Sequence, residues 1–423
     1  MATKKSRKKK SAPQNEHWFL RYHISFWVVV VVTTLLALIV VLRLPQDRID
    51  QKNGTPKTPI AEHPSVLRSK PDMRPEPIPS VTEPQVYEEQ ENTLETRAKE
   101  VDLALIQTLV LMGYDPSGLE HGAVDIRTDH GQEYHFQHLE LATPKDKERF
   151  ATILGKNVHL LVDGGSLTAG PGNMSFTVKV FGVPTHEIIF QDDYRPGRNA
   201  VVSGKKARMV IVVDDLGRSV VVGKRLAALT FPITFSVMPH EIRTSQVAAV
   251  ARDTRNELLL HLPMEPESYP AADPGQGALF VGMRPEQIRE VLRNDLAMVS
   301  GARGANNHMG SRFTQNRMGV EVVVDFFRAR GLFFLDSMTS KDSCVRDVES
   351  ARGLPYLRRN IFLDNVRDEK AILFQLRKAE SLARKRGYAV AIGHPYPETL
   401  RALETWQRMR DQNVALVTLK DLL

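Results

Sequence analysis

Met209-Val210-Ile211-Val212-Val213-Asp214-Asp215-Leu216-Gly217 is an unbroken apolar run that closes on two adjacent carboxylates. A run this rich in valine and isoleucine reads as a strand buried on both faces, the kind found in parallel sheets flanked by helices. The chain downstream repeats the pattern. Strand candidates at 233–237, 258–260, around Asn306, and at 333–335, 361–363, 390–392 and 414–417 alternate with amphipathic segments at 220–229, 245–255, 285–299, 320–330, 344–352, 369–385 and 398–410. About eight strands alternating with helices over roughly 220 residues predict an α/β fold, a closed or nearly closed β/α barrel, with a doubly wound open sheet as the alternative.

The polar residues at the ends of these strands carry the functional signal. After Asp214 and Asp215 come His261 followed by Leu-Pro-Met-Glu265-Pro, then Asn306-Asn307-His308, Asp336-Ser337, Asp364-Asn365, and Gly393-His394-Pro395. A β/α barrel gathers its chemistry at this end of its strands. A solitary aspartate there reads as a helix cap or turn residue, and Asp364 and Ser337 are assigned that way. The group is different: adjacent carboxylates repel unless a cation offsets them, and separated histidines complete a donor set for a divalent metal. The mouth predicts a metal-dependent hydrolase.

Four of these segments, in order, resemble the divergent polysaccharide deacetylase family: Val-Val-Asp214-Asp215-Leu-Gly, His261-Leu-Pro-Met-Glu265-Pro, Asn306-Asn307-His308-Met-Gly-Ser, and Gly-His394-Pro. That family is a remote branch of the NodB-like carbohydrate esterases, so the resemblance implies a distorted β/α barrel over residues 205–423. It also implies that Asp214 is the general base and Asp215 a metal ligand. His261 takes the place of the first ligand histidine, and His394 that of the general acid. Ordinary members have their second histidine four positions after the first, where this chain has Glu265, and an Arg-bearing motif where it has Asn306-Asn307-His308. The expected metal set is therefore Asp215, His261 and His308, with Zn²⁺ the first candidate. Glu265 is expected as a ligand or as a support behind one, and Asn307 and Asp336 as substrate contacts or supports. The implied reaction is removal of N-acetyl groups from an envelope polysaccharide or peptidoglycan. The alternative is a barrel with little or no turnover that binds glycan or docks into an envelope protein complex. Phosphoester hydrolysis is disfavoured because no basic cluster accompanies the carboxylates in sequence.

The N-terminal part places this barrel. The chain of 423 residues has a formal net charge of +7, and Lys4, Lys5, Arg7, Lys8, Lys9, Lys10, Arg21 and Arg43, set against Glu16, account for all of it. The remainder is neutral, which argues against a nucleic-acid partner. The basic residues of 1–23 precede an uncharged apolar run at 24–42 with Trp18, Tyr22 and Trp27 near its start. Its length suits a helix crossing a ~30 Å hydrocarbon core, and the basic flank predicts a cytoplasmic N-terminus. The expected location is the cytoplasmic membrane, single-pass, with the remaining chain outside the cytoplasm, periplasmic in a Gram-negative cell. A cleaved signal peptide competes with this reading, but no small-residue cleavage motif follows the run.

Residues 43–94 are rich in Pro, Glu, Lys, Ser and Thr and read as a disordered linker. Residues 95–195 predict a small α+β module, with a helix through Leu103, Ile106 and Leu109 and strands at 123–127, 134–141, 158–162 and 176–181. The alternation at 134–138 makes His135 and His138 part of a solvated strand face, and no metal is expected there. The single cysteine, Cys344, excludes an intramolecular disulfide.

Overall fold

The computed structural model describes residues 93–116, 119–192 and 206–423. The expected tail and apolar span, and the linker as far as residue 92, lie outside the described residues. No helix among the described residues is long and apolar enough to cross a membrane. All described residues belong to one compact unit, Arg74–Leu423.

The N-terminal part of that unit is a five-stranded sheet with two helices. Helix α1 (Leu94–Leu111) starts where the Thr93 hydroxyl accepts the Thr96 N–H, and α2 (Lys147–Leu161) starts where Asp146 accepts the Arg149 N–H at 2.8 Å. Strands β1 (Glu120–Asp129), β2 (Gln132–Ala142), β3 (Gly165–Ala169), β4 (Ser175–Val180) and β5 (Val183–Gln191) lie in the order β1-β2-β5-β4-β3, with β2 and β5 parallel. Leu105, Leu139, Phe150, Leu154, Phe176 and Ile188 form its core.

Two expectations fail in this part. The strand expected at 158–162 is the end of α2, because Phe150, Leu154 and Val158 recur four apart on one buried helical face. The expected solvated face of β2 is covered: Glu95 of α1 accepts from the His135 backbone and contacts its ring, and Asp102 accepts from Gln137. Both His135 and Gln137 are buried.

The C-terminal part is a nine-stranded sheet whose pairs are all parallel. Its strands are β6 (Ala207–Leu216), β7 (Thr234–Val237), β8 (Glu257–Met264), β9 (Gly304–Met309), β10 (Phe333–Asp336), β11 (Leu357–Arg358), β12 (Ile361–Phe362), β13 (Tyr388–Gly393) and β14 (Val414–Leu416). The helices between them are α3 (Val220–Ala227), α4 (Thr244–Arg252), α5 (Pro285–Met298), α6 (Arg317–Arg328), α7 (Val345–Ala351), α8 (Glu369–Arg386) and α9 (Pro397–Trp406). The hydrogen-bonded path runs β11-β10-β9-β8-β7-β6-β13-β12, with β14 beside β6.

The two ends of that path are consecutive pieces of one segment. Leu357 and Arg358 pair with β10, the Arg359 N–H still reaches Asp336 O, and then the Asn360 N–H bonds Val390 O before Ile361 and Phe362 pair with β13. The ring is thus bridged by a strand that changes partner midway, and the sheet is neither an uninterrupted barrel nor a doubly wound open sheet.

Alternation along the strands sorts the interior from the shell. Met209, Ile211 and Val213 pack toward the helices, while Val210, Val212, Leu259, Leu335, Val390 and Ile392 form a separate cluster with Leu419. Each buried Val or Leu of this kind contributes roughly 1.5–3 kcal/mol, so this apolar layer supplies rigidity that a polar layer above it cannot. Continuing the same register toward the strand C-termini reaches Asp214, His261 and His394.

Candidate metal centre

Adjacent residues of a strand face opposite ways, so Asp214 and Asp215 can both serve the mouth only if the backbone breaks step. It does. Asp215 has φ 54°, in the left-handed region, and the β6–β7 register shifts between Val213 and Leu216.

Asp215 meets two imidazoles. Its Oδ1 lies 3.1 Å from His261 Nε2 and 2.9 Å from His308 Nδ1, and the two ring nitrogens are 3.2 Å apart. These three residues form the one candidate metal-binding group among the described residues. The nitrogens approach at angles that leave both Asp215 oxygens, fully buried, without a well-formed hydrogen bond. Ligands about 2.0–2.1 Å from a tetrahedral Zn²⁺ stand roughly 3.3 Å from one another, so the triangle has the dimensions of three such ligands with a fourth position open. The donor set fits the ion.

The carboxylates favour positive charge at this centre. Burial works to raise the Asp215 carboxyl, but His308, His261 and His394 reverse that and hold it well below the usual carboxylate range. Burial works to lower His261, but Asp214 and Asp215 push it above its usual value.

Asn306 holds this centre from below. Its Nδ2 donates to both Asp214 oxygens at 2.9 and 3.1 Å and approaches Ser337 Oγ at 3.0 Å, while its Oδ1 lies 3.1 Å from His261 Nδ1. A His261 proton on Nδ1 directed at that carbonyl leaves the Nε2 lone pair toward Asp215 and His308. Asp364 plays the matching part for His394: it accepts the His394 backbone N–H at 2.5 Å, the ring Nδ1 at 2.9 Å, and the Thr399 hydroxyl at 2.7 Å. Burial acts to lower the His394 imidazole, yet Asp364, with Asp215 and Asp214, pushes it up to about 9.

The other expected residues stand apart from the triangle. Glu265 accepts from the Val281 N–H at 2.6 Å and from Arg312 Nη1 at 2.9 Å, so it braces loops and holds neither His261 nor His308. Asn307 binds Met309 O, Thr339 Oγ1 and the Ser337 N–H, shaping the rim. Asp336 is buried beneath that rim and accepts from the Met338 N–H, Ser343 and Tyr356. Conversely, the reading of Asp364 as a cap or turn residue is overturned by its grip on His394, and Asn306 went unassigned altogether. Their one sequence signal is position near the ends of strands whose neighbours carry the triangle residues.

Asp214, Asp215, His261, Asn307, His308 and His394 open onto a groove of about 1310 Å³. The groove is walled also by Glu95, Lys99 and Tyr134 from the N-terminal part.

Bridged parallel strands under a polar mouth fit the NodB-like (β/α) barrel that the sequence resemblance implies. The family model for the divergent polysaccharide deacetylases matches residues 211–423, and the chain belongs to that family. It is 32% identical over 223 residues to the uncharacterized protein YibQ of Escherichia coli K12, spanning 53% of this chain and 68% of that one. An uncharacterized Haemophilus influenzae protein is 30% identical over 217 residues, 51% of this chain and 77% of the other. A crystal structure of an uncharacterized protein from Agrobacterium tumefaciens C58 aligns with TM-score 0.50 and 26% identity, covering 53% of this chain and 92% of that one.

Proposed function

We propose that the barrel is a metal-dependent deacetylase acting on an N-acetylated envelope glycan such as peptidoglycan. The observation that carries this reading is the Asp215–His261–His308 triangle sharing one groove with two separately braced proton carriers, Asp214 and His394. A divalent ion held by the triangle, Zn²⁺ before others for a two-imidazole, one-carboxylate set, supplies polarisation of the acetyl carbonyl and acidification of water.

The chain's own residues do the rest. Asp214, held through both oxygens by Asn306, takes a proton from the attacking water as its oxygen adds to the amide carbonyl carbon. His394, kept protonated at neutral pH by Asp364, gives its proton to the glycan nitrogen as the C–N bond breaks. Acetate and a free amine leave.

The apolar run at 24–42 supports a tether in the cytoplasmic membrane with the barrel outside the cytoplasm, where such a glycan lies. Acetate release from acetylated chito-oligosaccharides and peptidoglycan, measured with the zinc-loaded full chain, tests the proposal. Asp214→Asn should retain the metal and lower turnover by about 10²-fold or more. No release from any acetylated glycan, with any divalent metal, would instead favour a glycan-binding or docking role.

A further inference from the structure

Lys99 sits on α1 and reaches across the groove toward the barrel. Its ammonium is 5.6 Å from the centroid of the Phe362 ring, on the strand that bridges the barrel. The Arg359 guanidinium lies 4.9 Å from the same ring and is fixed by donating Nε to Ser337 O and Nη2 to Met338 O, at 2.6 and 2.7 Å. Two cations from separate parts of the fold therefore flank one aromatic ring. His394 also neighbours that ring, 5.4 Å away between centroids and edge-on.

Burial, with Arg359 and Lys378 nearby, pushes the Lys99 ammonium down to about 8 even though Glu95 and Asp102 act the other way. Glu95, the carboxylate that acts most on Lys99, also accepts the His135 N–H at 2.8 Å and lies 2.9 Å from its ring Nδ1. Lys99, Arg359, Phe362 and His394 all line the groove that holds the metal triangle. The basic cluster that the sequence lacks as a run is assembled by docking one part on the other.

Resting on the reading of this groove as a glycan site, we propose that Lys99 and Arg359, over the Phe362 face, form a subsite for an anionic substituent of the glycan. The substituent is a carboxylate or a phosphate on the sugar next to the one being deacetylated. The anion meets the two cations held over Phe362, and an acetamido group on the neighbouring sugar is thereby presented to His394 and the triangle. The N-terminal part then selects substrate, which a merely structural attachment would not do.

The test is a titration of the zinc-loaded, detergent-solubilised full chain with three tetrasaccharides. One is neutral N-acetylchitotetraose, one alternates N-acetylglucosamine with carboxylate-bearing N-acetylmuramic acid, and one is a phosphorylated chitotetraose. At least one charged sugar should bind about tenfold tighter than the neutral one, the scale of one charge-assisted contact, and which one does so identifies the anion. Lys99→Gln should narrow that preference to within about twofold, whereas Lys99→Arg should keep it. Raising the salt should narrow it in the unsubstituted chain as well. Equal affinities for all three sugars, a preference that survives Lys99→Gln, or one insensitive to salt would overturn the subsite. A charge preference without acetate release would leave the subsite standing and count against deacetylation.

Discussion

Asn306 carries two duties, since its amide holds Asp214 and its carbonyl faces His261. Asn306→Ala should weaken metal binding by about 10–100-fold, measured by chelator competition, because His261 loses its fixed tautomer. His308→Ala, which removes one of the three candidate donors outright, should cost more. His394 offers a sharper readout. Its pKa lies above the usual 6.5, at about 9, so the acid form persists through neutral pH and is lost as pH rises through about 9. The His394–Asp364 pair likewise adds stability that is full below about 6.5 and gone above about 9. Asp364→Asn removes the raising charge, so the alkaline limb of the rate profile should move to lower pH; an unmoved limb would mean another group is the acid. Asp214, His261, His308 and His394 were legible because each ends a strand in register with its apolar interior, and Asp215 because it stands beside Asp214. Asn306 and Asp364 were not, because a short polar residue near a strand end looks the same whether it caps a turn or steers a histidine. Glu265 misled by spacing: its backbone N–H joins Leu279 O, which carries its carboxylate toward Val281 and Arg312.

Helix α8 ties the two parts of the fold together. Phe374 and Ala371 enter the core of the N-terminal part, and the fully buried Lys378 ammonium lies 3.5 Å from Asp102 Oδ2 on α1, beyond hydrogen-bond geometry. Asp102 also accepts from Gln137, Gln375 and His186, and this company holds its carboxyl well below the usual range despite burial. Asp102→Ala should therefore destabilise the chain by about 3–5 kcal/mol in denaturant unfolding, because it strands the Lys378 charge in the interior. Adding Lys378→Met should recover part of that loss. Nothing in the sequence showed this pairing, since α1 and α8 lie at opposite ends of the described chain. Helix and strand identities in the barrel were read from periodicity almost throughout, whereas in the N-terminal part the valine-bearing end of α2 passed for a strand.

At the scale of the molecule, position in the cell is the first thing to establish. The apolar run and its basic flank predict that the full chain stays with the membrane pellet through alkaline carbonate, and that protease reaches the barrel in spheroplasts. Release by carbonate, or protection of the barrel, would refute the tether. The barrel itself has a property of split washers. A closed hoop resists spreading equally all round, but one joined by a segment that trades neighbours at Arg359 and Asn360 can yield at the clasp while every longer ladder stays intact. Amide exchange should accordingly be faster at these two residues than at Val390 or Ile392. The clasp also bears Arg359 and Phe362 and leads straight to Asp364, so the join in the hoop lies at the rim of the groove and not at its base.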